Sequence, residues 1–151
     1  MTSGLGDSSG TSQSGAAALE RSLGVAFHDT SLLELALVHS SYLNEHRDAM
    51  LESNERLEFL GDAVVDVLVG EEVYRRFSSA TEGQLTVLRA MVVRDESLAR
   101  VASRLGVGPL LLLGQGEEAT GGRTRPSNLA AALEAIVGAM FLDRGDRKSV
   151  V

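Results

Sequence analysis

The stretch "NERLEFLGDAVVDVLVG", residues 54–70, constrains the chain more than any other segment. It has helical periodicity, yet it carries Glu55, Glu58, Asp62 and Asp66 at three- and four-residue spacing, with Gly61 in its middle. That spacing puts the carboxylates on one side of a helix. Leu57, Leu60, Val64, Val67 and Leu68 form the apolar stripe expected to face a core, with Phe59 off to the side. A solvated face is the plain reading of such an acidic ladder, and two details oppose it. Like charges at this spacing cost roughly a few tenths of a kcal/mol each, and no cation stands in the stripe. Gly61 costs about 1 kcal/mol in a helix interior, which points to a second backbone packed close to the acids.

The segment "SNLAAALEAIVGAMFLDRG" offers that second backbone. Its apolar positions are Leu129, Leu133, Ile136, Val137, Met140 and Phe141, while Glu134 sits among Ala130, Ala131 and Gly138. If the two helices cross there, Glu58, Asp62 and Glu134 converge. Carboxylates without His or Cys suit Mg²⁺, or Mn²⁺ in its place, rather than Zn²⁺. Phosphoryl transfer is the chemistry that such a site supports best.

The remaining segments also read as helices, and the class is all-α. "AAALERSLGVAF" closes near Gly24, and "SLLELALVHSSYL" opens on a capping-box pattern, Ser31 and Glu34. Thr81 and Gln84 repeat that pattern in "TEGQLTVLRAMVV". "RDESLARVASRLG" turns Leu98, Val101, Ala102 and Leu105 to one face and stops at Gly106. "VGPLLLLG" is a short buried segment whose length does not decide helix from strand. "GQGEEATGGRTRPSN" reads as an exposed glycine-rich loop. Residues 1–15, rich in Gly, Ser and Thr, read as a disordered leader.

The chain has no cysteine, which excludes a disulfide framework and a thiolate metal site. It shows neither the pattern of a signal peptide nor an apolar run long enough for a membrane span, so a cytoplasmic protein with no membrane partner is expected. The formal net charge of −7 argues against a polyanion partner, unless divalent cations fill the acidic cluster and reverse the local field.

"NERLEFLGDAVV" resembles the signature of the ribonuclease III family, and "LALVHSSY", "TEGQLTVLRAMVV", "LLLGQGEEATGG" and "LEAIVGAMFLD" follow in the family's order. The resemblance spans roughly residues 18–145. It implies the family's helical endonuclease domain over 16–145, a homodimer, and double-stranded RNA in a valley across the interface. It implies Mg²⁺-dependent cleavage to 5′-phosphate and 3′-hydroxyl ends with two-nucleotide 3′ overhangs, and no small-molecule cofactor. On the matching positions, Glu58 and Asp62 are metal ligands, and Glu134 is the acid tied most closely to catalysis. Glu55 and Glu82 are further acids of the valley, and Phe59 is an aromatic knob that enters the partner subunit. Glu117 occupies a polar position near metal or RNA. Arg123 and Arg125, with Arg89, Arg94 and Arg104, are candidates for phosphate contact, which positions a duplex without reading its sequence. His39 is read as a hydrogen-bonded core or helix-end residue, and His28 and His46 as surface residues.

Three positions depart from the family pattern. Ala131 stands where an Asp metal ligand is usual, three residues before Glu134. Ser40 in "HSSY" replaces an arginine. The family usually continues into another helix and a double-stranded-RNA-binding domain, so 146–151 reads as the truncated start of a following segment. Ala131 keeps a second reading open, that of a catalytically impaired module for dimerisation or RNA binding. A helical hydrolase of nucleotides is a third.

Overall fold

A computed structural model describes residues 8–47 and 52–145. Its helices are α1 (Ser8–Leu23), α2 (Thr30–Ala36), α3 (Ser40–Glu45), α4 (Glu55–Arg76), α5 (Glu82–Val93), α6 (Asp95–Arg104), α7 (Gln115–Ala119) and α8 (Pro126–Arg144). A 3-10 turn, Gly108–Leu110, precedes α7. Among the described residues the extended structure is one isolated parallel bridge between Val38 and Leu112. The all-α expectation holds.

Helix α8 is the axis of the fold. Nine of its residues are buried, from Leu129 to Ala139, so it is apolar on every side, as a central helix must be. α4, α6 and α2 all pack on it, and α4 does so most extensively. Small residues set how closely α4 and α8 approach. A Cβ built on Gly61 would overlap the carbonyl oxygen of Glu134, and one on Gly138 would overlap that of Leu57. The two glycines face each other's helix, and the backbones touch where any side chain would hold them apart.

Several boundaries differ from the sequence reading, each for a physical reason. α1 begins at Ser8, so residues 8–15 are helical rather than leader. The burial of Ala16 and Leu19 anchors a helix that the small polar residues extend backwards. Residues 1–7 and 146–151 lie outside the described residues. The capping box at Ser31 and Glu34 does not form. Asp29 caps α2 instead, accepting from the Ser31 amide at 3.0 Å. The expected single helix over 31–43 is split at Leu37–His39, where Val38 pairs with Leu112 and α3 restarts. The Thr81–Gln84 box is present. Asn54 precedes α4 and is buried. Its side-chain amide donates to the Ala36 carbonyl at 3.0 Å, and its backbone amide donates to Val38 at 2.8 Å. The α4 apolar stripe is shifted: Leu57, Val65 and Val73 are buried, while Val67 and Leu68 are exposed. In α6, Ala99 takes the buried place expected of Val101, which is exposed. The loop 114–128 contains α7.

Gly61→Ala tests this crossing. In an ordinary helix interior the change gains about 1 kcal/mol. Here urea unfolding should show a loss of about 3 kcal/mol or more, because overpacking falls on backbone that has no rotamer to yield. Neutral or improved stability would contradict the close approach.

Candidate active site

The crossing places the α4 carboxylates against α8. Glu134 is 9% exposed, one of two buried polar side chains of the described residues, and it sits where the Gly61 backbone meets its own. Its carboxyl lies within hydrogen-bonding reach of Asp62, with Glu58 close by. Burial is the largest influence on Glu134. With the hydrogen bond and charge of Asp62, then the charges of Glu58 and Asp95, it pushes the carboxyl up to about 8. Burial also raises the Glu58 carboxyl, with Glu55, Asp62 and Asp95 adding to it and His39 opposing. No ion pair of the described residues involves Glu58, Asp62 or Glu134. The site is thus a cluster of carboxyl groups without an ion-pair partner among the described residues, an arrangement found at functional sites.

Three expected ligands do not close into one set. Among the described residues, no group of three His, Asp or Glu side chains stands in position to hold an ion together. Asp62 and Glu134 are the joined pair, and Glu58 stands beside them. Hard oxygen donors on two carboxylates still fit Mg²⁺, which keeps several waters and takes one or two protein carboxylates. Ala131, one turn before Glu134, contributes nothing to the cluster because a methyl group has no donor. Glu55 opens α4 and is exposed, and its charge acts on Glu58. Glu82 opens α5, exposed, without a hydrogen bond or ion pair to the cluster among the described residues.

Arg123 and Arg125 point inward. The Arg123 guanidinium donates to the carbonyls of Gly108, Pro109 and Leu111 at 2.8–3.2 Å and pairs with Glu118 at 3.0 Å. Arg125 pairs with Glu117 and donates to the Thr120 carbonyl at 2.9 Å. Both hold the loop 108–125 through these bonds. Arg94 bonds Ser97 and Glu96, whereas Arg89 and Arg104 are exposed. Two residues with a bearing on the site were not singled out from sequence. Asp95 starts α6, and its charge reaches both Glu58 and Glu134. Asn128 bridges His39 and Glu117. Asp95 sat in a segment read only for its apolar face, and Asn128 gave no signal without its partners.

Glu134 holds its proton well above the ordinary 4.5 of an unfolded glutamate. In metal-free protein, stability therefore falls as pH rises from about 4.5 towards about 8, since only the unfolded chain releases that proton over this window. Glu134→Gln should match the parent near pH 4 and exceed it by roughly 1–3 kcal/mol at pH 8 in chelator-treated urea unfolding. Equal pH dependence in both proteins would refute the assignment.

A ribonuclease-III-like family model matches residues 29–150. The chain is 51% identical over 127 residues to ribonuclease 3 of Geobacillus thermodenitrificans, covering 84% of this chain and 52% of that protein. It is 51% identical over 126 residues to ribonuclease 3 of Enterococcus faecalis, covering 83% of this chain and 55% of that one. It thus spans about half the length of the curated relatives it matches. Among solved structures, the nuclease domain of ribonuclease III from Campylobacter jejuni superposes with a TM-score of 0.78 at 44% identity, covering 85% of each chain. Dicer from Pichia stipitis gives 0.58 at 29% identity, over 82% of this chain and 50% of that one. With the helical fold, the glycine crossing and the acid cluster at the signature positions, these likenesses show that the chain belongs to the ribonuclease III family.

Proposed function

We propose that this chain is the catalytic domain of a divalent-metal-dependent endoribonuclease that cleaves double-stranded RNA, such as folded rRNA and mRNA precursors in the cytoplasm. The observation that carries this reading is the buried Glu134 carboxyl against Asp62 and Glu58, with no ion pair to any of the three among the described residues. Asp62 and Glu134 would hold Mg²⁺, or Mn²⁺ in its place, with Glu58 reaching it directly or through water. Such an ion supplies an activated water and positive charge at the scissile phosphate. The chain's own part is to hold two carboxylates at fixed separation on rigid helices and to give up the Glu134 proton when the cation arrives. The products expected are 5′-phosphate and 3′-hydroxyl ends with two-nucleotide 3′ overhangs.

Two centres, one on each strand, require a dimer, and α4 and α5 present a surface suited to one. Phe59 is 81% exposed, and Val67, Leu68 and Tyr74 on α4 and Val87, Met91 and Val92 on α5 are exposed too. Phe59 and Tyr74 lie about 22 Å apart along the helix. A surface this apolar on a globular domain marks a site of association. A groove of about 710 Å³ lined by Phe77, Ala80, Thr81, Gly83, Gln84, Val87 and Leu88 shares Val87 with it. The Campylobacter relative is described with a region involved in dimer formation. Phe59→Glu should yield a monomer by light scattering with unchanged helix content, because Phe59 packs little within its own chain. A dimer in that variant would remove Phe59 from the interface.

The absence of a carboxylate at Ala131 favours a second reading, an impaired module kept for dimerisation or RNA binding. The two are separated by cleavage of a long RNA duplex in Mg²⁺. The leading reading predicts cutting that Asp62→Ala or Glu134→Ala lowers by about a hundredfold or more. Ala131→Asp should then raise the rate or lower the Mg²⁺ requirement by about tenfold. A parent as slow as its Glu134→Ala variant would favour the impaired module.

A further inference from the structure

A directed chain of hydrogen bonds runs behind the acidic site and passes through one side chain. The Gly114 amide donates to Ser41 Oγ at 2.9 Å. Ser41 Oγ lies 2.7 Å from His39 Nδ1, and the Ser41 amide donates to the same nitrogen at 3.1 Å. Because Nδ1 accepts the Ser41 amide, the ring proton sits on Nε2, which donates to Asn128 Oδ1 at 3.1 Å. Asn128 Nδ2 donates to Glu117 Oε1 at 2.8 Å and to the Gly122 carbonyl at 3.0 Å. Every bond points the same way, from a backbone amide to an anion, the condition under which successive bonds polarise one another. Arg125 closes the Glu117 end.

The geometry of this chain matters because of where Asn128 stands. It lies in the first turn of α8, and Asn128, Ala131 and Glu134 succeed one another at three-residue spacing. On the other side, His39 stands within electrostatic reach of Glu58. The same amide therefore bonds His39 at the start of α3 and Glu117 in α7, and it belongs to the helix that carries Glu134. Both Asn128 amide hydrogens and its oxygen are used, so rotation of the first turn of α8 breaks three bonds at once.

We propose that Asn128 is a positioning residue of the acidic site, fixing the His39 tautomer and the rotation of the start of α8, and through them the placing of Glu134 relative to Glu58. This rests on the endoribonuclease reading only for its kinetic consequence. Where the usual Asp ligand is replaced by Ala131, two carboxylates must hold the cation, and their separation depends all the more on such a fixture. The Asn128 amide, with the Arg125 guanidinium adding to it, holds the Glu117 carboxyl below the ordinary carboxylate range, as an anion that the chain of bonds can end on.

The test compares the parent with Asn128→Asp and with Asn128→Asp plus Glu117→Gln. The single change sets two carboxylates against each other. The double change restores the bond with donor and acceptor exchanged, and the introduced glutamine oxygen can still accept from Arg125. Three readouts apply: the ¹⁵N shifts of the His39 ring, the Mn²⁺ concentration at half-maximal thermal stabilisation, and kcat and KM on duplex RNA. The parent should show the Nε2–H tautomer. Asn128→Asp should raise the Mn²⁺ midpoint and lower kcat by about tenfold or more, with KM within about twofold, and the double variant should recover most of both. Asn128→Ala, which adds no charge, should show the same loss and carries the test if the aspartate variant does not fold. A parent that fails to cut RNA sinks the proposed activity, while the tautomer and the Mn²⁺ midpoint still decide on Asn128. A parent His39 protonated on Nδ1, variants with the parent's Mn²⁺ midpoint, or a double variant no better than the single one would overturn the inference.

Discussion

The contact of two backbones at Gly61 and Gly138 is the constraint on which the rest depends. Helices separated by ordinary side chains stand roughly 8–10 Å apart at their axes. Here the carbonyl oxygens of Glu134 and Leu57 occupy the space that a Cβ on the facing glycine would need. The glycines carry a conformational cost of about 1 kcal/mol each in a helix, which the packing of α8 against α4 offsets. What the closeness achieves is chemical. It brings Asp62 and Glu134 within hydrogen-bonding reach across a helix interface where neither has an ion-pair partner among the described residues.

Stability and function pull in opposite directions at this point. A buried carboxyl beside two others costs free energy unless it is protonated or neutralised. Nothing in the fold needs that cost, since Leu129, Leu133, Ile136 and their neighbours supply the core around it. The exposed apolar face of α4 and α5 follows the same logic, because a lone domain gains nothing by showing Phe59 and Tyr74 to water. Under the proposed function both features are unfinished surfaces, one for a cation and RNA and the other for a second copy.

Much of this was legible in the sequence, for reasons that can be named. The acids of α4 announced themselves through spacing, and Gly61 announced the crossing, because a glycine in a helix otherwise has no use. The end of α6 followed from Gly106, which adopts positive φ as helix-stop glycines do. The phase of the α4 apolar face was not legible. Val67 and Leu68 are apolar yet exposed, and periodicity does not distinguish an apolar residue turned to the core from one turned outward. The split between α2 and α3 depends on pairing with Leu112, far away in sequence. The roles of Arg123, Arg125 and Asn128 depend on partners that no local pattern reveals.

The most direct test of the central claim is a carboxyl-carbon NMR titration of Glu134 in metal-free protein, repeated with saturating Mg²⁺. A buried, uncompensated Glu134 at the glycine crossing should titrate near 8 without metal and be ionised throughout the neutral range with it. An ordinary carboxylate midpoint, unmoved by Mg²⁺, would contradict the account of the site.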